Sequence, residues 1–243
     1  MNNTATMERM RQMRLHGMLR SFRESLEVPG CEAVTIDEMV GRMIDAEWDD
    51  RHNRKLDRLF KSASFRFRAH PEEIIYDPKR KLDRNQIARL CSCEWIRKAE
   101  NVIITGRTGS GKSFLSCALG HAACSRELSV RYTNAMKLFS LLRTARADGS
   151  YAKEMRALTR CDLLVIDDFG LKILDSDSRL SLLEIIDDRF RINSTILVSQ
   201  IPHDKWFECI GDATIADAIC DRLVHNAHKI PIDGDTMRKL RAK

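Results

Sequence analysis

The sequence predicts an α/β fold in which a five-stranded parallel sheet is flanked by helices and preceded by a small all-helical domain. From residue 101 onward, short apolar runs alternate with helical stretches, the rhythm of βαβ units that form parallel sheets. The first of these runs leads directly into a glycine-rich loop and then a helix. The strands are predicted near residues 102–105, 129–133, 162–167, 195–199 and 228–232.

Composition sets broad limits on the function. The 243 residues are 43% hydrophobic and 31% charged, as in a globular protein, and the net charge of +6 (41 − 35) is too mild to establish a nucleic-acid partner. No apolar run approaches the roughly 18 residues that a membrane span needs, so we expect a cytoplasmic protein without membrane contact. The eight cysteines are expected to be buried free thiols, and Cys91 and Cys93 lack the second cysteine pair of a zinc site.

Helical patterns fill the N-terminal third of the chain. Residues 7–27 place apolar side chains on one helix face, and Pro29-Gly30 ends that predicted helix. Thr35 and Glu38 form a capping-box pattern that begins a second helix, predicted to continue to about Lys61. A break at Asp77-Pro78 suggests a boundary between a helical domain at residues 1–76 and an α/β domain at residues 77–243.

A strongly basic segment spans residues 51–68. It contains seven Lys and Arg residues and a single acid, Asp57, which gives a local net charge of +6. Such a segment can neutralise the phosphates of a nucleic-acid backbone, although a solvated helix face explains the pattern equally well. The candidate DNA-binding residues are Arg51, Arg54, Lys55, Arg58, Lys61, Arg66 and Arg68.

The loop after the first strand reads Gly-Arg-Thr-Gly-Ser-Gly-Lys-Ser over residues 106–113, the G-x-x-x-x-G-K-[ST] pattern of a phosphate-binding P-loop. Glycines allow successive backbone N–H groups to curl around phosphate oxygens, and the following helix directs its positive end at the same phosphates. Lys112 is expected to reach the β- and γ-phosphates and Ser113 to bind Mg²⁺. The predicted nucleotide-binding residues are Gly106, Arg107, Thr108, Gly109, Ser110, Gly111, Lys112, Ser113 and Phe114.

Two carboxylates follow the apolar run at residues 163–166. In a parallel sheet this strand end emerges beside the P-loop, where Asp167 can hold Mg²⁺ and Asp168 can orient the attacking water. The same residues resemble the GTPase D-x-x-G and the protein-kinase D-F-G motifs. Neither class fits, because the chain lacks N-K-x-D and H-R-D segments. A small-molecule P-loop kinase stays open, but it has no ordinary need for a basic helical N-terminal domain.

Two more polar residues are candidates for the reaction. Gln200 follows the predicted strand at 195–199 and is positioned to sense the γ-phosphate, or it is an ordinary loop anchor. Arg222 lies on a predicted helix over residues 213–226 and could neutralise charge on a neighbouring subunit's nucleotide. The alternative for Arg222 is a salt bridge with Asp217 or Asp221 within its own chain.

These residues together resemble the IstB-like transposition helper ATPases of bacterial insertion sequences, AAA+ proteins related to DnaC-type helicase loaders. The resemblance covers the acidic-then-basic N-terminal region, the P-loop, the strand ending at Asp167-Asp168, Asp221-Arg222-Leu223 and the ending Gly234-Asp-Thr-Met-Arg238. It implies an AAA+ core, ATP and Mg²⁺ as cofactors, and a homo-oligomer with ATP at subunit interfaces. It also implies duplex DNA, bound with little sequence preference, and a transposase as partners.

The resemblance also implies residue roles. Lys112 and Ser113 become nucleotide and Mg²⁺ ligands, Asp167 the metal carboxylate and Gln200 the sensor-1 residue. Arg222 becomes the arginine finger, and Arg238 a second arginine near the nucleotide or a neighbouring subunit.

Two positions depart from the family pattern, which more often has Glu after the metal-binding Asp and Asn at sensor 1. Asp168 is one methylene shorter and Gln200 one methylene longer than those residues. A displacement of about 1 Å at a reacting group can cost on the order of 100-fold in rate. The sequence therefore suggests slow hydrolysis, with ATP acting chiefly as a switch for assembly on DNA. Two alternatives remain, a helicase loader that favours single-stranded DNA and an ATP-gated scaffold with little catalysis.

Overall fold

The computed structural model describes residues 3–27, 34–234 and 236–237, and the chain divides into two compact units, Met1–Arg58 and Leu59–Lys243. This division comes earlier than the boundary that the sequence suggests between residues 76 and 77. Leu59, Phe60 and Phe65 explain the difference, because these side chains pack against the hydrophobic core of the C-terminal unit.

The predicted single helix over residues 7–27 is two helices, α1 (Asn3–Gln12) and α2 (His16–Glu27). Arg14 separates them with a left-handed φ of 59°, which ends α1 as a C-cap glycine commonly does. Because an arginine fills this position, no glycine in the sequence marks the break. The predicted end of this region at Pro29-Gly30 lies outside the described residues.

The long helix α3 (Ile36–Ala63) begins at the predicted capping box. Thr35 N donates to Glu38 Oε2 at 3.0 Å, and Glu38 N donates to Thr35 Oγ1 at 3.3 Å. Within the N-terminal unit, α2 approaches α3 closely at Gly17, where an added Cβ would lie 2.1 Å from the Ala46 carbonyl oxygen. Gly17 N also donates to the buried carboxylate of Glu47 at 2.8 Å.

The C-terminal unit alternates strands and helices as predicted. Its helices are α4 (Arg84–Cys91), α5 (Glu94–Arg97), α6 (Lys112–Cys124), α7 (Ala135–Asp148), α8 (Tyr151–Arg160), α9 (Ser176–Arg189), α10 (Trp206–Ile210) and α11 (Ala213–Val224). Its strands are β1 (Asn101–Gly106), β2 (Val130–Asn134), β3 (Leu163–Phe169), β4 (Ser194–Ser199) and β5 (Ala227–Ile232). Short 3₁₀ helices span Pro71–Glu73, Pro78–Arg80 and His203–Lys205.

The five strands of the described chain form one parallel sheet in the order β2-β3-β4-β1-β5. The parallel sheet with flanking helices confirms the predicted fold class. All strands end at the same edge, so the loop after β1, the acids of β3 and the residue after β4 are brought together there. The register of β3 against β4 shifts between Ile166 and Phe169, next to the two acids.

Alternating strand residues serve two separate cores, as expected for a sheet covered on both faces. Val102 and Ile104 pack with residues of α4, α5 and α6, whereas Ile103 packs with residues of α7, α8, α9 and α11. Helix α6, which follows the P-loop, is buried over most of its length. The P-loop is therefore held between a buried strand and a buried helix.

The seven described cysteines are free thiols. Five of them are buried, as predicted, whereas Cys91 and Cys220 are half-buried, and Cys31 lies outside the described residues. Burial raises the pKa of Cys93 to about 11 and that of Cys124 to about 12, so both remain protonated thiols near neutral pH. Within the described residues, no helix has both the length and the apolar character that crossing a membrane requires.

Candidate nucleotide site

The P-loop connects β1 to α6 and depends on glycine at three positions. Gly106, Gly109 and Gly111 have φ values of 150°, 84° and 92°, which other residues rarely adopt. A Cβ would also lie 2.2 Å from the Ile232 carbonyl oxygen at Gly106 and 2.3 Å from Thr236 Oγ1 at Gly109. The loop is therefore a close-fitting backbone turn that ends at the amino terminus of α6, where N–H groups are available to an anion.

Lys112 and Ser113 occupy the first turn of α6. Lys112 is buried, and its Nζ donates to the Arg107 carbonyl oxygen at 2.9 Å. Burial lowers the pKa of Lys112, while Asp167 and Asp168 oppose that change. The lysine is thus held inside the loop by the Arg107 carbonyl, and the acids of β3 favour its charged form.

A cavity of about 430 Å³ opens beside the P-loop. Eight residues that were predicted to act on the nucleotide line it, which are Thr108, Gly109, Gly111, Lys112, Ser113, Phe114, Asp168 and Gln200. It is also lined by residues that the sequence did not assign to a nucleotide, which are Arg66, Phe67, Glu73, Ile75, Arg80, Leu171 and Met237. Gly106, Arg107 and Ser110 complete the same loop.

Asp167 is completely buried at the end of β3. The Tyr132 hydroxyl, on the adjacent strand β2, donates to Asp167 Oδ2. Burial and the neighbouring carboxylate raise the pKa of Tyr132, so the phenol keeps its proton and remains a donor. Asp167 Oδ1 accepts from the backbone N–H of Asp168 at 2.8 Å. Both oxygens of Asp167 are therefore fixed in orientation.

Asp168 differs from its neighbour in conformation and exposure. It has a left-handed φ of 57°, an uncommon conformation for a residue with a side chain, and its side chain is 21% exposed. Asp168 Oδ2 accepts from Asn134 Nδ2 at 3.0 Å and from an Arg66 guanidinium nitrogen at 3.2 Å. The Asn134 side chain also caps α7, because its Oδ1 accepts from the backbone N–H groups of Met136 and Lys137.

Gln200 lies where β4 ends, close to the P-loop. The Thr108 hydroxyl donates to Gln200 Oε1 at 2.6 Å. The structure therefore brings the predicted sensor-1 residue to the phosphate-binding loop.

Arg222 lies on α11, outside the set of described residues that line the cavity. Its Nε is 2.5 Å from Asp187 Oδ1 on α9, and it also donates to the Ala218 carbonyl oxygen at 2.8 Å. The side chain is 31% exposed. Arg222 thus forms an ion pair within its own chain, with an acid other than the two that the sequence suggested.

Residues 236 and 237 lie against the P-loop. Met237 N donates to the Gly109 carbonyl oxygen at 2.9 Å, and the Met237 side chain lines the cavity. Arg238, predicted to lie near the nucleotide, is outside the described residues.

Arg80 is a site residue that sequence reasoning missed. Its guanidinium is buried and donates to the Ser110 carbonyl oxygen at 3.0 Å and to the Ile75 carbonyl oxygen. Arg80 therefore supports the P-loop backbone and also lines the cavity. No local pattern indicates this role, since Lys79-Arg80-Lys81 reads as a polar connector after a proline.

The basic segment is divided between the two units. In the N-terminal unit, Arg51 lies 2.7 Å from Glu47 and Arg54 lies 2.7 Å from Asp50, so acids just before the segment offset part of its charge. Lys55 and Arg58 are exposed on the same helix. In the C-terminal unit, Lys61, Arg66 and Arg68 are exposed, and Arg66 reaches the acids of β3.

ATP and Mg²⁺ fit the residues that are present. The turn at the P-loop leaves backbone N–H groups for phosphate oxygens, and the buried Ser110 hydroxyl has no partner among the described residues. Carboxylate and hydroxyl oxygens are the ligands that Mg²⁺ prefers, and Asp167 and Ser113 supply them. The site is suited to a nucleotide with its phosphates on the P-loop.

Comparison with known proteins identifies the family. Residues 8–243 match the IstB-like ATP binding proteins. The chain belongs to this family. An insertion sequence ATP-binding protein of Sinorhizobium fredii, y4pL, is 42% identical to this IstB-like protein over 234 residues, which cover 96% of each chain. The resemblance drawn from the motifs is thereby confirmed.

Solved structures agree on the fold of this IstB-like protein. AMPPCP-bound DnaA from Aquifex aeolicus aligns with a TM-score of 0.59 and 17% identity, covering 74% of this chain and 57% of that chain. The DnaC helicase loader aligns with a TM-score of 0.57 and 15% identity, covering 69% and 98%. The chain therefore shares its fold with DnaA and the DnaC helicase loader, while the family match alone describes it as an ATP-binding protein.

Proposed function

We propose that this IstB-like protein is a Mg²⁺-dependent ATPase that assembles on duplex DNA and recruits or activates a transposase. Hydrolysis then controls assembly and release. The observation that carries the proposal is the cavity in which P-loop residues, Asp168 and Gln200 meet beside the buried carboxylate of Asp167. Relatives named as insertion sequence ATP-binding proteins support the link to transposition.

Each residue of the site has a distinct task in this proposal. The P-loop backbone and Lys112 bind the phosphates, and Ser113 and Asp167 hold Mg²⁺. The metal, when bound, neutralises charge that develops on the phosphate oxygens. Asp168 orients water toward the γ-phosphate, and Gln200 contacts that phosphate from the end of β4. Because the Asp168 side chain is short and is held by Asn134 Nδ2 at 3.0 Å, we expect slow hydrolysis.

DNA binding is assigned first to α3 of the N-terminal unit. Arg51, Arg54, Lys55 and Arg58 recur at helical spacing, so their side chains fall on one side of the helix and can contact consecutive phosphates. Lys61 and Arg68 are further candidates within the C-terminal unit.

Assembly is assigned to ATP held between copies of the chain, with Arg222 acting on the nucleotide of a neighbour. The Arg222 side chain is partly exposed, and exchange of Asp187 for a phosphate would complete the neighbouring site.

Two alternative functions stay open. A helicase loader is the nearest alternative, favoured by the structural similarity to DnaC. The second alternative is an ATP-gated scaffold with little hydrolysis.

Two variants test the proposal. Lys112→Ala should abolish ATP binding, whereas Arg222→Ala should leave ATP binding by the monomer intact and remove hydrolysis and assembly. Equilibrium nucleotide binding, steady-state hydrolysis and sedimentation with ATP separate these effects. Normal hydrolysis by the Arg222 variant would show that the finger assignment is wrong, and normal ATP binding by the Lys112 variant would refute the nucleotide site itself.

A further inference from the structure

Arg66 has surroundings that its sequence context does not explain. It belongs to the basic segment, yet one of its guanidinium nitrogens lies 3.2 Å from Asp168 Oδ2 and 3.8 Å from Asp167 Oδ2. Its side chain is 48% exposed and lines the same cavity as Lys112 and Gln200. A cation from outside the P-loop therefore lies at the two carboxylates of the candidate site.

The segment that carries Arg66 is anchored on the P-loop helix. Phe65 fills the space beside Gly120 of α6, where an added Cβ would lie 2.5 Å from the Phe65 ring. Burial raises the pKa of the Cys117 thiol, one turn earlier on α6, to about 11, and the nearby backbone of Phe67 and Arg66 opposes that change. The backbone on both sides of Arg66 is thus fixed, while the half-exposed side chain can change its partner.

The Arg66 guanidinium lies where it could contact the phosphates of a bound nucleotide as well as the two acids. Ser113 and Asp167 would hold a Mg²⁺ ion beside the phosphates of a bound nucleotide, where the ion would neutralise part of their charge. A guanidinium within 3.8 Å of Asp167 is therefore within reach of a γ-phosphate on the same metal. Arginine donates in a fork that suits phosphate as well as carboxylate.

We propose that Arg66 determines the preference of this protein for ATP over ADP, by moving from the Asp168 carboxylate to the γ-phosphate when ATP binds. This inference rests on the proposed function, since it concerns the same site. With ADP there is no γ-phosphate, and Arg66 keeps its ion pair with Asp168. Asp168 is then engaged by arginine with ADP and released to position water with ATP.

The test compares affinities for ADP and for a non-hydrolysable ATP analogue, each with Mg²⁺ and without DNA, by calorimetry on the full chain. The variants are Arg66→Ala and Arg66→Gln, the second of which keeps most of the length of the side chain without its charge. Arg97→Ala is the control, because Arg97 is an exposed arginine that pairs with Glu94 on α5. A general loss of positive charge also weakens binding of the ATP analogue more than binding of ADP, because the analogue carries more negative charge. The Arg97 control measures how far this general effect lowers the ratio of the two affinities.

Both Arg66 variants should lower the ratio of ATP-analogue affinity to ADP affinity by roughly tenfold, and the control should leave it unchanged. An unchanged ratio in either folded Arg66 variant, while the unaltered protein binds both nucleotides, would overturn the inference and leave the proposed function standing. An equal fall in the Arg97 control would overturn it as well, since the effect would then be general charge. Failure of the unaltered protein to bind either nucleotide would instead refute the proposed function.

Discussion

Asp167 and Asp168 are adjacent in sequence but differ in their freedom to move. Asp167 is fully buried and fixed by the Tyr132 hydroxyl and by a backbone N–H, which suits a ligand of constant geometry. Asp168 is partly exposed, and its partners Asn134 and Arg66 are side chains that can separate from it. This difference supports the proposal that Asp167 binds the metal and that Asp168 changes its partner during the reaction.

The Tyr132 hydroxyl should matter for Mg²⁺ although it contacts no phosphate. Tyr132→Phe removes the donor that orients Asp167, and loss of such outer contacts weakens metal binding about tenfold or more. We expect the Mg²⁺ concentration for half-maximal ATP binding to rise by about that factor. Tyr151→Phe is the control, because the Tyr151 hydroxyl donates to Glu184 on α9. A lower Mg²⁺ requirement in Tyr132→Phe would mean that the hydroxyl competes with the metal.

Lengthening Asp168 should accelerate hydrolysis. Asp168→Glu moves the carboxylate outward by one methylene, toward the position that the family more often uses, and we expect a higher steady-state turnover with little change in ATP affinity. The rate per subunit at saturating ATP is the measurement. Turnover that is unchanged or lower would show that the aspartate is not what limits the rate.

Local pattern predicted part of the site and could not predict the rest. The P-loop and the two acids were recognisable because each depends on residues that are consecutive in the chain. Arg66, Arg80 and Tyr132 reach the site from distant segments, and their roles depend on pairings such as that of β2 with β3. Arg66 shows the difficulty directly, since its neighbours in sequence indicate nucleic acid and its neighbours in space are carboxylates.

At the scale of elements, the packing of α2 on α3 depends on one glycine. Gly17→Ala places a methyl group against the Ala46 carbonyl and should destabilise the N-terminal unit by about 1–3 kcal/mol. Gly41→Ala is the matched control, because a Cβ there meets nothing within 4 Å and should stabilise α3 by about 0.5–1 kcal/mol. Hydrogen exchange of α2 and α3 amides measures both changes. Equal protection of the α2 and α3 amides from exchange in the two variants would show that Gly17 is not required for the packing of α2 on α3.

Element boundaries were predictable where the chain is apolar and bounded by turn residues. All five strands lie within two residues of their predicted limits. The three inner strands β1, β3 and β4 contain the short continuous apolar runs that are typical of buried parallel strands. The break between α1 and α2 was missed because Arg14 adopts its left-handed conformation without a glycine or proline to mark it. Backbone conformation of this kind depends on tertiary packing more than on residue type.

At the scale of the whole molecule, a basic helix in one unit and a nucleotide site in the other are expected to act together. Neutralising Arg54, Lys55 and Arg58 should weaken duplex binding and flatten its salt dependence, by about 0.9 in log–log slope for each DNA phosphate that the variant no longer neutralises. Neutralising Arg97, Lys98 and Arg126, three exposed cations of the C-terminal unit, is the control. Fluorescence titrations at several salt concentrations provide the slopes. An unaltered slope would show that these α3 cations do not contact DNA phosphates and instead form a solvated helix face.

The steady-state rate of ATP hydrolysis, titrated with duplex and with single-stranded DNA at equal nucleotide concentration and one salt concentration, tests the central claim most directly. A transposition helper that assembles on duplex DNA should hydrolyse ATP slowly alone and be stimulated more by duplex than by single strands. Stronger stimulation by single strands would contradict the claim and favour a helicase loader. Absence of ATP turnover with either DNA, despite ATP binding, would also contradict the claim and would favour an ATP-gated scaffold.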